Sequence, residues 1–127
     1  VLRYCQKQKS CMTQHDPNIA LNHMRDHAVE AIQLSADITR QDLPNNRILV
    51  LTPTRLVEII GEAATRVPVS VRGQCPDVPW NEIICTRNRL IHGYDKVDLD
   101  ILWHIISSDL PVLIKSLPTN IKSSSIK

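Results

Sequence analysis

The chain has 127 residues, enough for one domain with a single core. Apolar residues make up 43% and charged ones 22%, the balance of a globular protein, which excludes disorder throughout. A formal net charge of +2 is too small to announce a nucleic-acid binder by overall field, so any such site must come from a local cluster.

Residues 1–15 are polar and mildly basic, with Lys7 and Lys9, and read as a flexible leading segment. Asp16-Pro17 then signals a helix start, with Asp as the cap and Pro in the first helical position. Leu21, Met24, Ala28, Ala31 or Ile32, Ser35 and Ile38 recur at three- and four-residue steps, so the helix is expected to run to about Thr39. Gln41 to Asn46, containing Pro44, forms a joint.

A second helix is expected over about 46–67, bent at Pro53, because the apolar run from Ile48 extends ahead of the Thr52-Pro53 pair. Pro68 ends it, and 68–78 is a connector with room for one short helical turn. Pro79-Trp80-Asn81-Glu82 opens a third helix, with an acid in the first turn and Gly93 as its stop. Asp98 and Asp100 open a last helix to Leu117, kinked where Pro111 removes a backbone donor. The tail, 119–127, is expected to fray.

The resulting fold class is all-α: an up-and-down four-helix bundle with a short extra helical turn, occupying 16–118 as one domain. With aromatics at 3% and no Phe, its core must come from Leu, Ile, Val and Ala, and only three Gly are present to serve turns. Cys5, Cys11, Cys75 and Cys85 form no C-x-x-C pair, as expected for thiols in a reducing cytoplasm. No apolar run reaches membrane-spanning length and no signal-peptide core is present, so a soluble, cytoplasmic protein is expected.

One stretch concentrates chemistry: R-N-R-L-I-H-G-Y, Arg87 to Tyr94. Arg offers a permanent forked donor for phosphate oxygens, and His is the side chain that exchanges a proton near neutral pH. Helical residues advance about 100° each, so Arg87 and His92 would point about 140° apart on a regular helix, whereas Arg87 and Tyr94 would share a face. The imidazole joins the others only if the backbone unwinds near Gly93 or a second subunit completes the cluster. The pair suits cleavage of an RNA phosphodiester; the plainer alternative is that Arg87 pairs with a carboxylate, His92 caps a helix end and Tyr94 packs.

From about Ile19 to Leu117 the chain resembles the HepT-like branch of the HEPN proteins, ribonuclease toxins of a bacterial and archaeal toxin–antitoxin system. The matching pieces are E-I-I-G-E-A-A (58–64), P-D-V-P-W-N-E-I-I (76–84), R-N-R-L-I-H-G-Y (87–94), V-D-L-D-I-L-W (97–103) and D-L-P (109–111), in the family's order and spacing. The resemblance implies a homodimer with the Arg-x-x-x-x-His-x-Tyr motif at its cleft. It implies Arg87 and His92 as the ribonuclease pair, with no metal or other cofactor. It also implies Tyr94 as the hydroxyl that receives AMP from an MNT-type nucleotidyltransferase antitoxin, the arrangement of a type VII system. Asn88, Arg89 and Glu62 are the supporting candidates: Asn88 to orient a partner, Arg89 to contact phosphate or simply be solvated, Glu62 to pair with a motif arginine or lie on a solvated helix face. Gly61 is expected to let two helices approach closely.

Departures from the family pattern lie at Cys85-Thr86, Asp95-Lys96 and Pro53; Asp95 adds negative charge near the cleft. Two readings compete with the ribonuclease. One is a non-catalytic module that binds RNA, a nucleotide or the antitoxin. The other is a metal site built on His23 and His27, four apart on one helix face, with Cys11 and His15 upstream. Trp80 and Trp103 read as core or interface anchors.

Overall fold

The computed structural model describes residues 16–92 and 96–118, with His92 described by its backbone. The expected flexible ends, 1–15 and 119–127, and the segment Gly93–Asp95 lie outside those residues. Helices dominate: α1 (Pro17–Leu34), a 3-10 turn (Arg40–Asn45), α2 (Arg47–Thr65), a single turn α3 (Val69–Arg72), α4 (Trp80–Leu90), α5 (Leu99–His104) and α6 (Leu110–Ser116). The described strands are β1 (Ile91–His92) and β2 (Lys96–Val97), paired antiparallel with Ile91 opposite Val97 and His92 opposite Lys96. Among the described residues, no helix is long and apolar enough to cross a membrane.

Helix starts follow capping chemistry. The Asp16 carboxylate accepts from the Asn18 amide at 2.9 Å, Asn46 from the Leu49 amide at 3.2 Å and Asp98 from the Ile101 amide at 3.0 Å. Each satisfies an amide that the first helical turn leaves without a backbone partner.

α1 stops at Leu34, earlier than the apolar stripe suggests. Thr39 and Asp42 form a capping box that starts the 3-10 turn instead, with the Thr39 amide 2.8 Å from the Asp42 carboxylate. Ser35 and Ile38 nevertheless stay inward, Ser35 buried and Ile38 packed on the core. α2 runs through Pro53, as the apolar run implies. Thr54 donates its hydroxyl to the Val50 carbonyl at 2.6 Å, one turn back, next to the donor that proline lacks.

Pro111 also has a structural consequence. Upstream of it the helix widens into a π-helical stretch, Ile105–Asp109, in which the Leu110 amide bonds the Ile105 carbonyl five residues back. Pro111 directly follows this stretch, at the second residue of α6. The expected kink is thus met by one wide turn.

The core is aliphatic. α1 contributes Leu21, Met24, Ala28 and Ala31; α2 contributes Leu56, Val57, Ile60 and Ala64; Leu90, Leu102, Ile105, Leu110 and Leu113 close it from the C-terminal half. Each fully buried Leu or Met side chain contributes about 1.5–3 kcal/mol relative to exposure. α1 packs along α2, α2 carries α4 on another side, and α6 returns to α1.

Cys75 is buried and Cys85 exposed, and burial pushes the Cys75 thiol above its usual range. Less thiolate at neutral pH and less access both slow its chemistry. Alkylation followed by peptide mass mapping should label Cys85 at least ~10-fold faster than Cys75. Equal rates would contradict the packing of the 66–79 connector.

Candidate active groove

The site begins with what holds α4 in place. Trp80, at its start, donates its indole N–H to the Cys75 carbonyl at 3.1 Å. Arg72 lies over the same ring, 5.8 Å from its centroid, and donates to the Val67 and Ala64 carbonyls at 2.9 and 3.3 Å. Ala64 is in the last turn of α2 and Val67 just past it, so one arginine ties the end of α2 to the first turn of α4.

Gly61 sets how closely the two helices approach. A Cβ at this position would come within 3.2 Å of the Ile83 carbonyl oxygen and 4.0 Å of that of Ile84. The expected close-approach role is therefore observed, and it is a packing role. Gly61→Val, which adds a branched side chain against backbone that cannot bend away, should cost roughly 1–3 kcal/mol. Thermal unfolding should then occur about 4–8 °C lower for each kcal/mol lost. An unchanged melting temperature would contradict the tight helix contact.

One turn before Gly61, Glu58 faces α4. Its carboxylate accepts from the Arg87 Nε–H at 3.0 Å through one oxygen, and the other lies 3.4 Å from an Arg55 terminal nitrogen. The Glu58 side chain is 18% exposed, whereas that of Arg87 is 69% exposed. The acid is thus seated in the protein while the guanidinium projects outward. Both line a groove of about 380 Å³ between α2 and α4, with Arg55, Gly61, Glu62, Thr65, Ile83 and Ile84.

The sequence left Glu62 either pairing with a motif arginine or lying on a solvated helix face. Glu62 is exposed and lines the same groove, but the carboxylate bonded to Arg87 is Glu58. Glu58 was visible in the E-I-I-G-E-A-A stretch; which of its two acids meets α4 depends on how the helices cross. Arg87 therefore does pair with a carboxylate, which alone would satisfy the plainer reading of that residue.

Arg89 takes a different place. Two helical positions from Arg87, it lines a second cavity that shares Val57 and Ile83 with the groove, with Glu82, Thr86 and Asp109 among its polar groups and Ile60, Leu110 and Leu113 among its walls. Asn88 is exposed on the last turn between them. Arg87 and Arg89 both sit where cations complement the helix dipole.

The helix then ends early. Ile91 adopts an extended conformation, φ −108° and ψ 120°, so the backbone leaves helical winding one residue before His92 and two before the expected stop at Gly93. The regular-helix separation of Arg87 and His92 does not apply once that turn is broken. The Asp98 amide donates to the Leu90 carbonyl at 2.8 Å, closing the exit, and Asp98 then caps α5. β1 and β2 pair across this exit, with His92 opposite Lys96. The His92 side chain and all of Tyr94 lie outside the described residues.

The alternative metal cluster does not assemble among the described residues, where no group of three or more His, Cys, Asp and Glu side chains comes together. His27 Nδ1 lies 2.7 Å from the His23 carbonyl, and the two rings meet edge to face at 6.0 Å. Cys11 and His15 lie outside the described residues.

Residues 24–119 match the family described as ribonuclease HepT-like, and the chain belongs to that family. Among curated relatives, a candidate RNase by name from Methanocaldococcus jannaschii is 33% identical over 106 residues, covering 84% of this chain and 97% of its own. A protein of Thermococcus cleftensis named probable ribonuclease HepT is 35% identical over 88 residues, 66% of this chain and 80% of its own. Another candidate RNase by name, from Caldanaerobacter subterraneus, is 33% identical over 101 residues, 80% and 90% of the two chains. No solved structure matches the chain.

Proposed function

We propose that the protein is a metal-independent endoribonuclease, the toxin of a type VII toxin–antitoxin pair, working as a homodimeric four-helix bundle formed by residues 16–118. The observation that carries this reading is the exposed Arg87 guanidinium at the mouth of the groove, five residues before a histidine at a helix exit, in a chain of the ribonuclease HepT-like family.

In this reading the RNA 2′-hydroxyl attacks the adjacent phosphorus. The bond from phosphorus to the 2′-oxygen forms as the bond to the 5′-oxygen breaks, leaving a 2′,3′-cyclic phosphate and a 5′-hydroxyl. His92 serves the proton transfer that this exchange requires. Arg87 holds the charge that builds on the non-bridging oxygens, through donors already in place before the reaction. Asn88 and Glu62 support the motif arginine's surroundings, and Arg89 contacts an RNA phosphate away from the cut. Tyr94 receives AMP from an MNT-type partner.

The test is incubation of the purified protein with a labelled mixed-sequence RNA, with and without a chelator. Cleavage at the same rate in both supports the proposal. RNA retained but uncut would select a binding module instead, and loss of cleavage on chelation would select a metal-dependent hydrolase.

A further inference from the structure

We propose that Glu58 is the positioning residue for Arg87. The inference rests on the ribonuclease reading above and adds to it the group that aims its cation.

Arg87 leaves α4 on a long side chain that is 69% exposed. A free arginine in that setting samples many rotamers, and fixing it costs entropy of about 1.5–2 kcal/mol that must be met at each substrate encounter. Glu58 removes much of that freedom beforehand. It is largely shielded on α2, a helix whose neighbouring side chains are buried, and it accepts from the Nε–H edge at 3.0 Å. The bond to Nε matters. It engages the inner edge of the guanidinium, and among the described residues the two terminal nitrogens of Arg87 carry no hydrogen bond. Those are the donors that form the fork able to grip two phosphate oxygens.

The neighbourhood explains why an acid is tolerated where RNA must sit. Arg55 lies against the second oxygen of Glu58, so that carboxylate is matched by two guanidiniums, while Glu62 on the same groove brings the four charged groups to neutrality. Gly61, one turn on, brings α4 close enough for the contact to form. A salt bridge so exposed at its arginine end does little for stability. Its geometry suits aiming.

The test compares Glu58→Gln and Glu58→Ala with wild type. kcat for RNA cleavage should fall ~10–100-fold in Glu58→Ala and less in Glu58→Gln, which keeps an acceptor. KM should stay level or fall, because an anion near a polyanion has been removed. Folding and melting temperature should remain near wild type. A second readout needs no activity: the Arg87 Nε–H nitrogen-15 signal, assigned by its disappearance in Arg87→Lys, should resist solvent exchange in wild type and lose that protection in Glu58→Ala.

Wild-type kcat in both Glu58 variants, while Arg87→Ala is dead, overturns the positioning role and leaves the ribonuclease reading standing. A loss of kcat matched by a loss of folded protein overturns it as well. A wild type that cuts no RNA sinks the ribonuclease reading; the Nε–H measurement then still decides, and equal protection in Glu58→Ala overturns the contact itself.

Discussion

His92→Ala should lower kcat for RNA cleavage by ~10²–10⁴, the range for losing a positioned proton carrier. Arg87→Ala should lower it by ~10²–10³, the range for losing one preorganised donor to a charge that develops in the transition state. Arg87→Lys keeps the charge but loses the fork and the Nε edge that Glu58 holds, so it should fall between alanine and wild type. The two alanine substitutions combined should cost little more than the worse one alone, because groups acting on one transition state are not additive. Folding should survive in Arg87→Ala, since the side chain is 69% exposed and touches no core residue through its hydrogen bonds. Single-turnover cleavage of an end-labelled RNA measures all four rates. Wild-type rates in both single variants would remove Arg87 and His92 from the chemistry.

The second large effect is expected at Tyr94. A partner nucleotidyltransferase supplied with ATP should join the α-phosphate to the tyrosine oxygen and release pyrophosphate, adding the mass of one AMP. The added group brings bulk and negative charge two residues from His92, where RNA phosphate must approach. Cleavage should fall roughly 100-fold or more, as for loss of a charge-stabilising contact. Tyr94→Phe should take up no AMP and should still cut RNA with the partner present. Intact mass read beside cleavage rate decides the matter. An adduct formed equally on Tyr94→Phe would place the modification elsewhere.

How much of this was legible beforehand depended on range. Asp16, Asn46 and Asp98 mark helix starts through bonds to amides two or three residues away, and such local chemistry can be read from neighbours in the chain. The buried stripes of α1 and α2 follow from three- and four-residue spacing for the same reason. Helix ends were harder. Ile91 is a residue that a helix could have kept, yet it turns extended where it pairs with Val97 and the Leu90 carbonyl takes the Asp98 amide. Those pairings span six and eight positions, beyond helical periodicity.

Pro111 announced a disturbance, but not that a wide turn over Ile105–Asp109 would absorb it. Glu58 was the least legible. Glu58 and Glu62 are four apart on one helix, and only the crossing at Gly61 decides that the first of them meets Arg87. A contact spanning 29 positions has no local signature. The family motif located Arg87, His92 and Tyr94 as a string of residues; it carried no information about what orients the arginine.

The most direct measurement is the chemistry of the cut ends. An RNA with one preferred cleavage position should be compared with the same strand carrying a single 2′-deoxy sugar there, in the presence of a chelator. The expected result is a 2′,3′-cyclic phosphate and a 5′-hydroxyl from the first, and no cut at that position in the second. Equal cleavage of both strands, or products ending in a 3′-hydroxyl and a 5′-phosphate, would contradict a mechanism in which the RNA's own hydroxyl is the nucleophile and Arg87 and His92 assist it.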